Sequence, residues 1–156
     1  MDTKANTYQQ TLQAIRALIE GEDDLIAVLS TVSCELFHAF QHWNWVGFYR
    51  RVDTQTLKVG PYHGGHGCLT IDISRGVCGA CVREKAVQLV PDVTQFPGHI
   101  ACSSRTRSEI VLPVCDPAGE VVAVLDIDST EPDSFDGVDQ KNLEEVVGWI
   151  RPLFHF

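Results

Sequence analysis

Helical and strand-like periods are segregated along this chain, and that order most constrains its fold. Residues 8–20 place Leu12, Ile15, Leu18 and Ile19 at helical spacing, and Gly21 stops the pattern. Asp23 or Asp24 is placed to cap a second helix carrying Leu25, Ile26, Leu29, Val32, Leu36, Phe37 and Phe40. Then the period changes. The aromatic, β-branched run WNWVGFYRRV (43–52) reads as a strand, and LKVGPY beyond the DTQT turn reads as its hairpin partner. HGGHG (63–67) reads as a loop and CLTIDI (68–73) as a third strand. RGVCGACVREK reads as a short helix despite Gly76 and Gly79, and VQLV as a short strand ended by Pro91. A long aperiodic connection, TQFPGHIACSSRTR, precedes two apolar strands, SEIVLPVCD and EVVAVLDID, joined by the turn PAG. Asp136 can cap a last helix with Leu143, Val146, Val147 and Ile150 on one face. Segregation of this kind predicts an α+β domain with a central, mostly antiparallel sheet flanked by N- and C-terminal helices.

At 156 residues the chain is long enough for one domain with a real core. Twelve basic side chains against twenty-one acidic give a net charge of −9, which argues against nucleic acid or an anionic membrane surface as partner. No apolar run approaches the roughly 18 residues of a membrane helix. The polar start, MDTKANTYQQTLQ, has no secretion-like stretch, so a cytoplasmic location is expected.

Six cysteines stand at 34, 68, 78, 81, 102 and 115. In a reducing compartment such residues are packing groups, metal ligands or redox-active thiols. Cys34 and Cys115 fall in regular helical and strand patterns and read as small hydrophobes. The others fall in glycine-rich or polar sequence. Cys102 has His99 before it, Ser103 and Ser104 after it, and Arg105 and Arg107 beyond. Cys78 lies near Arg75 at the expected start of a short helix, where amide dipoles favour an anion. Either is therefore a candidate low-pKa nucleophile.

An acidic set accompanies them. Glu109 opens one apolar strand, and Asp126 and Asp128 share a face near the end of the next. Carboxylates on an apolar strand are costly unless they meet a cation or share a proton, which suits a substrate ammonium group or a proton donor. Trp45 and Tyr49 fall on one face of their strand and Phe48 on the other, so one face can line a pocket.

The motifs NWVGFY (44–49), HGGHGCLTI, RGVCGAC (75–81), QLVPDVTQFPGHIACSS (88–104), SEIVLPV (108–114) and VLDIDS (124–129) resemble those of the free methionine-(R)-sulfoxide reductases, which are built on a single GAF domain. The resemblance implies one domain over 1–156, with helices at about 5–41, sheet and active-site loops at about 43–130 and a last helix at about 136–151. It implies Cys102 as the catalytic thiol, Cys68 and Cys78 as its redox partners, and Glu109, Asp126, Asp128, Trp45 and Tyr49 as substrate-binding groups. It further implies free methionine-(R)-sulfoxide as substrate, thioredoxin as reductant, no cofactor and no metal. A homodimer through the first helix is a further expectation. Ser103 stands where members often have aspartate, Thr94 and Gln95 where a histidine is common, and Cys81 is an addition. Two rival readings remain open on sequence. One is a GAF module that only binds a small ligand or senses redox state. The other is a zinc module using His63, His66, Cys68, Cys78 and Cys81.

Overall fold

The computed structural model describes residues 3–99 and 102–154. Helices α1 (Thr3–Ile19) and α2 (Leu25–Ala39) lead into β1 (Trp43–Arg51), β2 (Thr56–Gly64) and β3 (Thr70–Asp72). Helix α3 (Gly76–Glu84), β4 (Gln88–Val90), β5 (Ser108–Cys115), β6 (Val121–Ser129) and α4 (Gly137–Ile150) follow. The six strands form one sheet in the order β3-β2-β1-β6-β5-β4. Every neighbouring pair is antiparallel. The expected α+β class and element order hold.

Alternation along the strands gives the sheet two apolar faces. Val46, Phe48, Ile110, Leu112, Val114, Ala123, Leu125 and Ile127 point toward α1, α2 and α4, where they meet Leu12, Ile15, Leu29, Val32, Leu36, Leu143, Val146 and Ile150. Trp45, Tyr49, Val111 and Val124 point the other way, toward Val77, Cys78, Cys81 and Val82 of α3. Trp43 escapes the simple alternation. A register shift between Trp43 and Trp45 turns it into the helix-side core, where it stacks on Phe40 with ring centroids 4.0 Å apart.

The caps are where the sequence put them. Asp24 accepts from the Ala27 amide at 2.8 Å, and Asp136 forms a capping box with Asp139 on α4. Asp139 is itself buried, and it receives Lys4 Nζ at 2.7 Å, the Tyr8 hydroxyl at 2.6 Å and the Asp136 amide at 2.8 Å. Those donors fasten α1 to α4 and satisfy the carboxylate.

Two boundaries differ from expectation. His63 and Gly64 of HGGHG belong to β2, because Gly64 and His63 pair with Trp45 and Val46 of β1. The third strand is confined to Thr70–Asp72, which pair in register with Thr56–Lys58 of β2.

Gly47 is what lets the α3-side face carry a large aromatic group. The Trp45 ring lies over it, stacked between Tyr49 at 5.5 Å and Tyr62 at 5.2 Å. A Cβ at Gly47 would collide with the Tyr62 Cβ and would lie 2.6 Å from the Trp45 ring. Gly47→Ala should therefore lower stability by about 1–3 kcal/mol, the usual cost of overpacking, through displacement of Trp45. Urea unfolding with near-ultraviolet circular dichroism checks this, and an unchanged midpoint would contradict it.

Candidate active site

Three adjacent strands, β1, β6 and β5, bring the site together by register. Trp45, Asp128 and Glu109 stand in one row across them, and Gly47, Asp126 and Val111 in the next. The rows are two residues apart, so all six positions share the α3-side face. Glu109 and Asp126 are buried, 7% and 5% exposed, and Asp128 is half-buried. Val77 and Cys78 of α3 and the loop residues His66, His99, Cys102 and Thr106 complete the walls. The cleft measures about 550 Å³ with its open mouth.

Gly67 closes one side. A side chain there would press to 3.0 Å from the Trp45 ring and 3.1 Å from the Tyr49 hydroxyl. The loop can therefore lie flat on the aromatic wall just before Cys68.

The electrostatics are those of acids short of cations. Burial pushes the Glu109 carboxyl well above its ordinary range, and the neighbouring Asp126 and Asp128 push it further. Asp126 and Asp128 are raised as well, chiefly by burial. Such a cluster holds protons that isolated carboxyls would release near neutrality. Thr106 stands beside Asp128 in the cleft lining and accepts from Asn44 Nδ2 at 3.2 Å. One oxygen of Asp126, one of Asp128 and the Trp45 indole N–H are buried without any partner. Orphaned polar atoms of this kind are rare in a finished core, and here they line a cleft able to supply the missing partner. Burial also raises the Tyr49 hydroxyl, so it stays a neutral donor.

Cys68 and Cys102 are joined by a disulfide, with Cα atoms 5.4 Å apart. Cys102 lines the cleft with the acids and Trp45. Ile100 and Ala101 of the HIAC motif lie outside the described residues. Cys78 also lines the cleft, but not as a low-pKa thiol. Although it sits in the first turn of α3, burial and the three nearby carboxylates push its thiol well above the ordinary value. Desolvation by tertiary packing outweighs the helix-dipole effect expected from sequence. Its sulfur lies within 4.8 Å of a carboxylate oxygen of Asp126. Cys81 packs behind it, with its sulfur 3.8 Å from the Val111 carbonyl. Cys34 and Cys115 are half-buried and form no disulfide.

The five-residue zinc set is not gathered. His63 packs against the rings of Phe37 and His38 on the α2 side, and Cys68 is bonded to Cys102. Among the described residues the one cluster with metal-ligand geometry is Cys78, Glu109 and Asp126. His66 and Thr106 were not singled out as cleft residues on sequence. Thr106 carries no motif of its own, and its role depends on standing beside Asp128 and Asn44. Among the described residues no helix is long and apolar enough to cross a membrane.

The GAF domain family matches residues 20–150. The free methionine-R-sulfoxide reductase of Escherichia coli is 39% identical over 96% of this chain and 90% of its own. The Saccharomyces cerevisiae protein of the same name is 37% identical over 95% and 86%. The X-ray structure of the Neisseria meningitidis free methionine-R-sulfoxide reductase in complex with its substrate superposes with a TM-score of 0.92 at 38% identity, covering 99% of this chain and 92% of that one. The chain belongs to the GAF domain family and, within it, to the free methionine-R-sulfoxide reductases.

Proposed function

We propose that the protein reduces free methionine-(R)-sulfoxide to methionine, with Cys102 as the attacking thiol and thioredoxin or a similar dithiol restoring it. The observation that carries this reading is that Cys102 is bonded to a second cysteine while facing three protonatable carboxyls and an aromatic wall in one cleft. The identity of the relatives supports the substrate.

The substrate has two parts to recognise. Its α-ammonium group answers the acidic cluster, and a methionine within a peptide has no such group. Its thioether end suits the face of Trp45. With Cys68–Cys102 reduced, the Cys102 thiolate attacks the sulfoxide sulfur, and a carboxyl, best Glu109, gives the departing oxygen its proton. The hydroxyl passes from the methionine sulfur to the Cys102 sulfur as the bond between the two sulfurs breaks, so methionine leaves and Cys102 becomes a sulfenic acid. A second thiol condenses with it, releasing water and forming a disulfide. The Cys68–Cys102 bond favours Cys68 in that step. Cys78 is a slower alternative, because its thiol is buried and held protonated. Exchange with an external dithiol returns both sulfurs to the reduced state.

Cys102→Ser should form no methionine, whereas Cys68→Ala and Cys78→Ala should each still give one equivalent in a single-turnover assay. Amino-acid analysis of methionine per protein decides this, and catalytic turnover by Cys102→Ser would refute the assignment.

Glu109 is expected to trade stability for chemistry. In the unfolded chain its carboxyl ionises near the ordinary 4.5, whereas in the fold it holds its proton to higher pH. Below about pH 4 both states are protonated and nothing is lost. As pH rises past that value the unfolded state is favoured by proton release, so stability falls. Glu109→Gln should therefore lose turnover by roughly 10²–10⁴-fold yet unfold about 1–2 kcal/mol harder at pH 7. The stability gap should close toward pH 4. Urea titrations at several pH values measure it, and a variant less stable at every pH would contradict the account.

A further inference from the structure

We propose that Cys78, Glu109 and Asp126 form a binding site for one divalent cation of the Zn²⁺ class, and that this ion and the sulfoxide substrate exclude one another. The Cys78 sulfur and one carboxylate oxygen from each acid lie within 4.8 Å of one another, and all three residues are buried. A tetrahedral zinc with bonds of about 2.0–2.3 Å separates its ligands by roughly 3.3–3.8 Å. Contraction by about 1 Å, within reach of side-chain rotation, therefore completes a three-ligand set.

A second observation is independent of that spacing. One Asp126 oxygen is buried with no hydrogen-bond partner, on a residue only 5% exposed. One Asp128 oxygen, in the neighbouring row, is in the same condition. The cleft leaves the fourth position open to water or to Asp128, the arrangement of a zinc site with an exchangeable ligand.

Ligand chemistry selects the ion. Calcium and magnesium take six or more oxygens, and a thiolate does not suit them. One sulfur with two or three carboxylate oxygens suits a borderline cation. On binding, the Cys78 thiol and the proton-sharing acids release their protons to solvent, and two positive charges replace them. The like-charge crowding that keeps these acids protonated is thereby relieved. The cation site stands on geometry alone, whereas its conflict with the substrate rests on the reductase reading, because both then use Glu109 and Asp126.

The test uses the full-length protein with Cys68 and Cys102 oxidised, so that neither sulfur can ligate. Titration with Co²⁺ should saturate at one equivalent with a thiolate-to-cobalt charge-transfer band, and one equivalent of Zn²⁺ should remove it. Cys78→Ser should abolish the band. Asp126→Asn and Glu109→Gln should each weaken cobalt binding at least tenfold. Cys34→Ser should change nothing, although Cys34 lies 3.6 Å from His38 Nδ1 on the far side of the sheet. A band that survives Cys78→Ser, a band lost in Cys34→Ser, or no band in the wild type would overturn the site. X-ray absorption of the wild-type zinc complex reads it without any variant. One sulfur and otherwise light scatterers are expected; two sulfurs or an imidazole shell would overturn the proposal. Saturating free methionine-(R)-sulfoxide should weaken cobalt binding at least tenfold. No weakening in a protein that turns over would overturn the exclusion. Cobalt binding in a protein without turnover would sink the reductase reading alone, and turnover without cobalt binding would sink the cation site alone.

Discussion

Three carboxyl groups crowded on one face of a β-sheet, with no lysine or arginine among the described residues lining their cleft, are the constraint on which the site depends. Isolated buried carboxylates are expensive, and groups so close cannot all ionise. The contrast with Asp139 is instructive. That carboxylate is equally buried, yet an ammonium, a phenol and a backbone amide satisfy it, and it joins two helices. Glu109, Asp126 and Asp128 have mainly one another, a thiol and Thr106. One cluster is finished by the fold, and the other is left for a ligand to finish.

The sheet can carry this cost because its two faces are specialised. The helix side is a continuous apolar layer in which α1, α2 and α4 bury Leu, Ile and Val against β1, β5 and β6. The α3 side is thinner and mixes apolar packing with the cleft. Buried polar groups are thus concentrated on the face that carries the cleft. Rigid strands, rather than loops, hold all three acids and both cleft aromatics. Loops hold Cys68 and Cys102, the two sulfurs joined in the disulfide. That division suits chemistry in which the binding groups stay fixed and the redox groups move.

Much of this was legible in the sequence, and the parts that were not share a physical cause. Strand alternation placed Asp126 with Asp128 and Trp45 with Tyr49, because period 2 is local. Helix caps at Asp24 and Asp136 were legible for the same reason. The residue type of Gly64 suggests a loop, but pairing with Trp45 keeps it in β2, and pairing is not local. Trp43 changed faces through a bulge that no periodicity announces. For Cys78 the helix position is visible in sequence, while the carboxylates that raise its thiol come from β5 and β6. Thr106 gains its role only from Asn44 and Asp128 across the sheet.

The central claim is that the sulfur of residue 102 takes the oxidation from a free sulfoxide. Mixing fully reduced protein with one equivalent of free methionine-(R)-sulfoxide, quenching with acid and mapping peptides by mass spectrometry tests it most directly. One methionine per chain, with the loss of two hydrogens confined to a cross-linked peptide pair containing Cys68 and Cys102, is the predicted result. Methionine formed while Cys102 remains a free thiol would contradict the account.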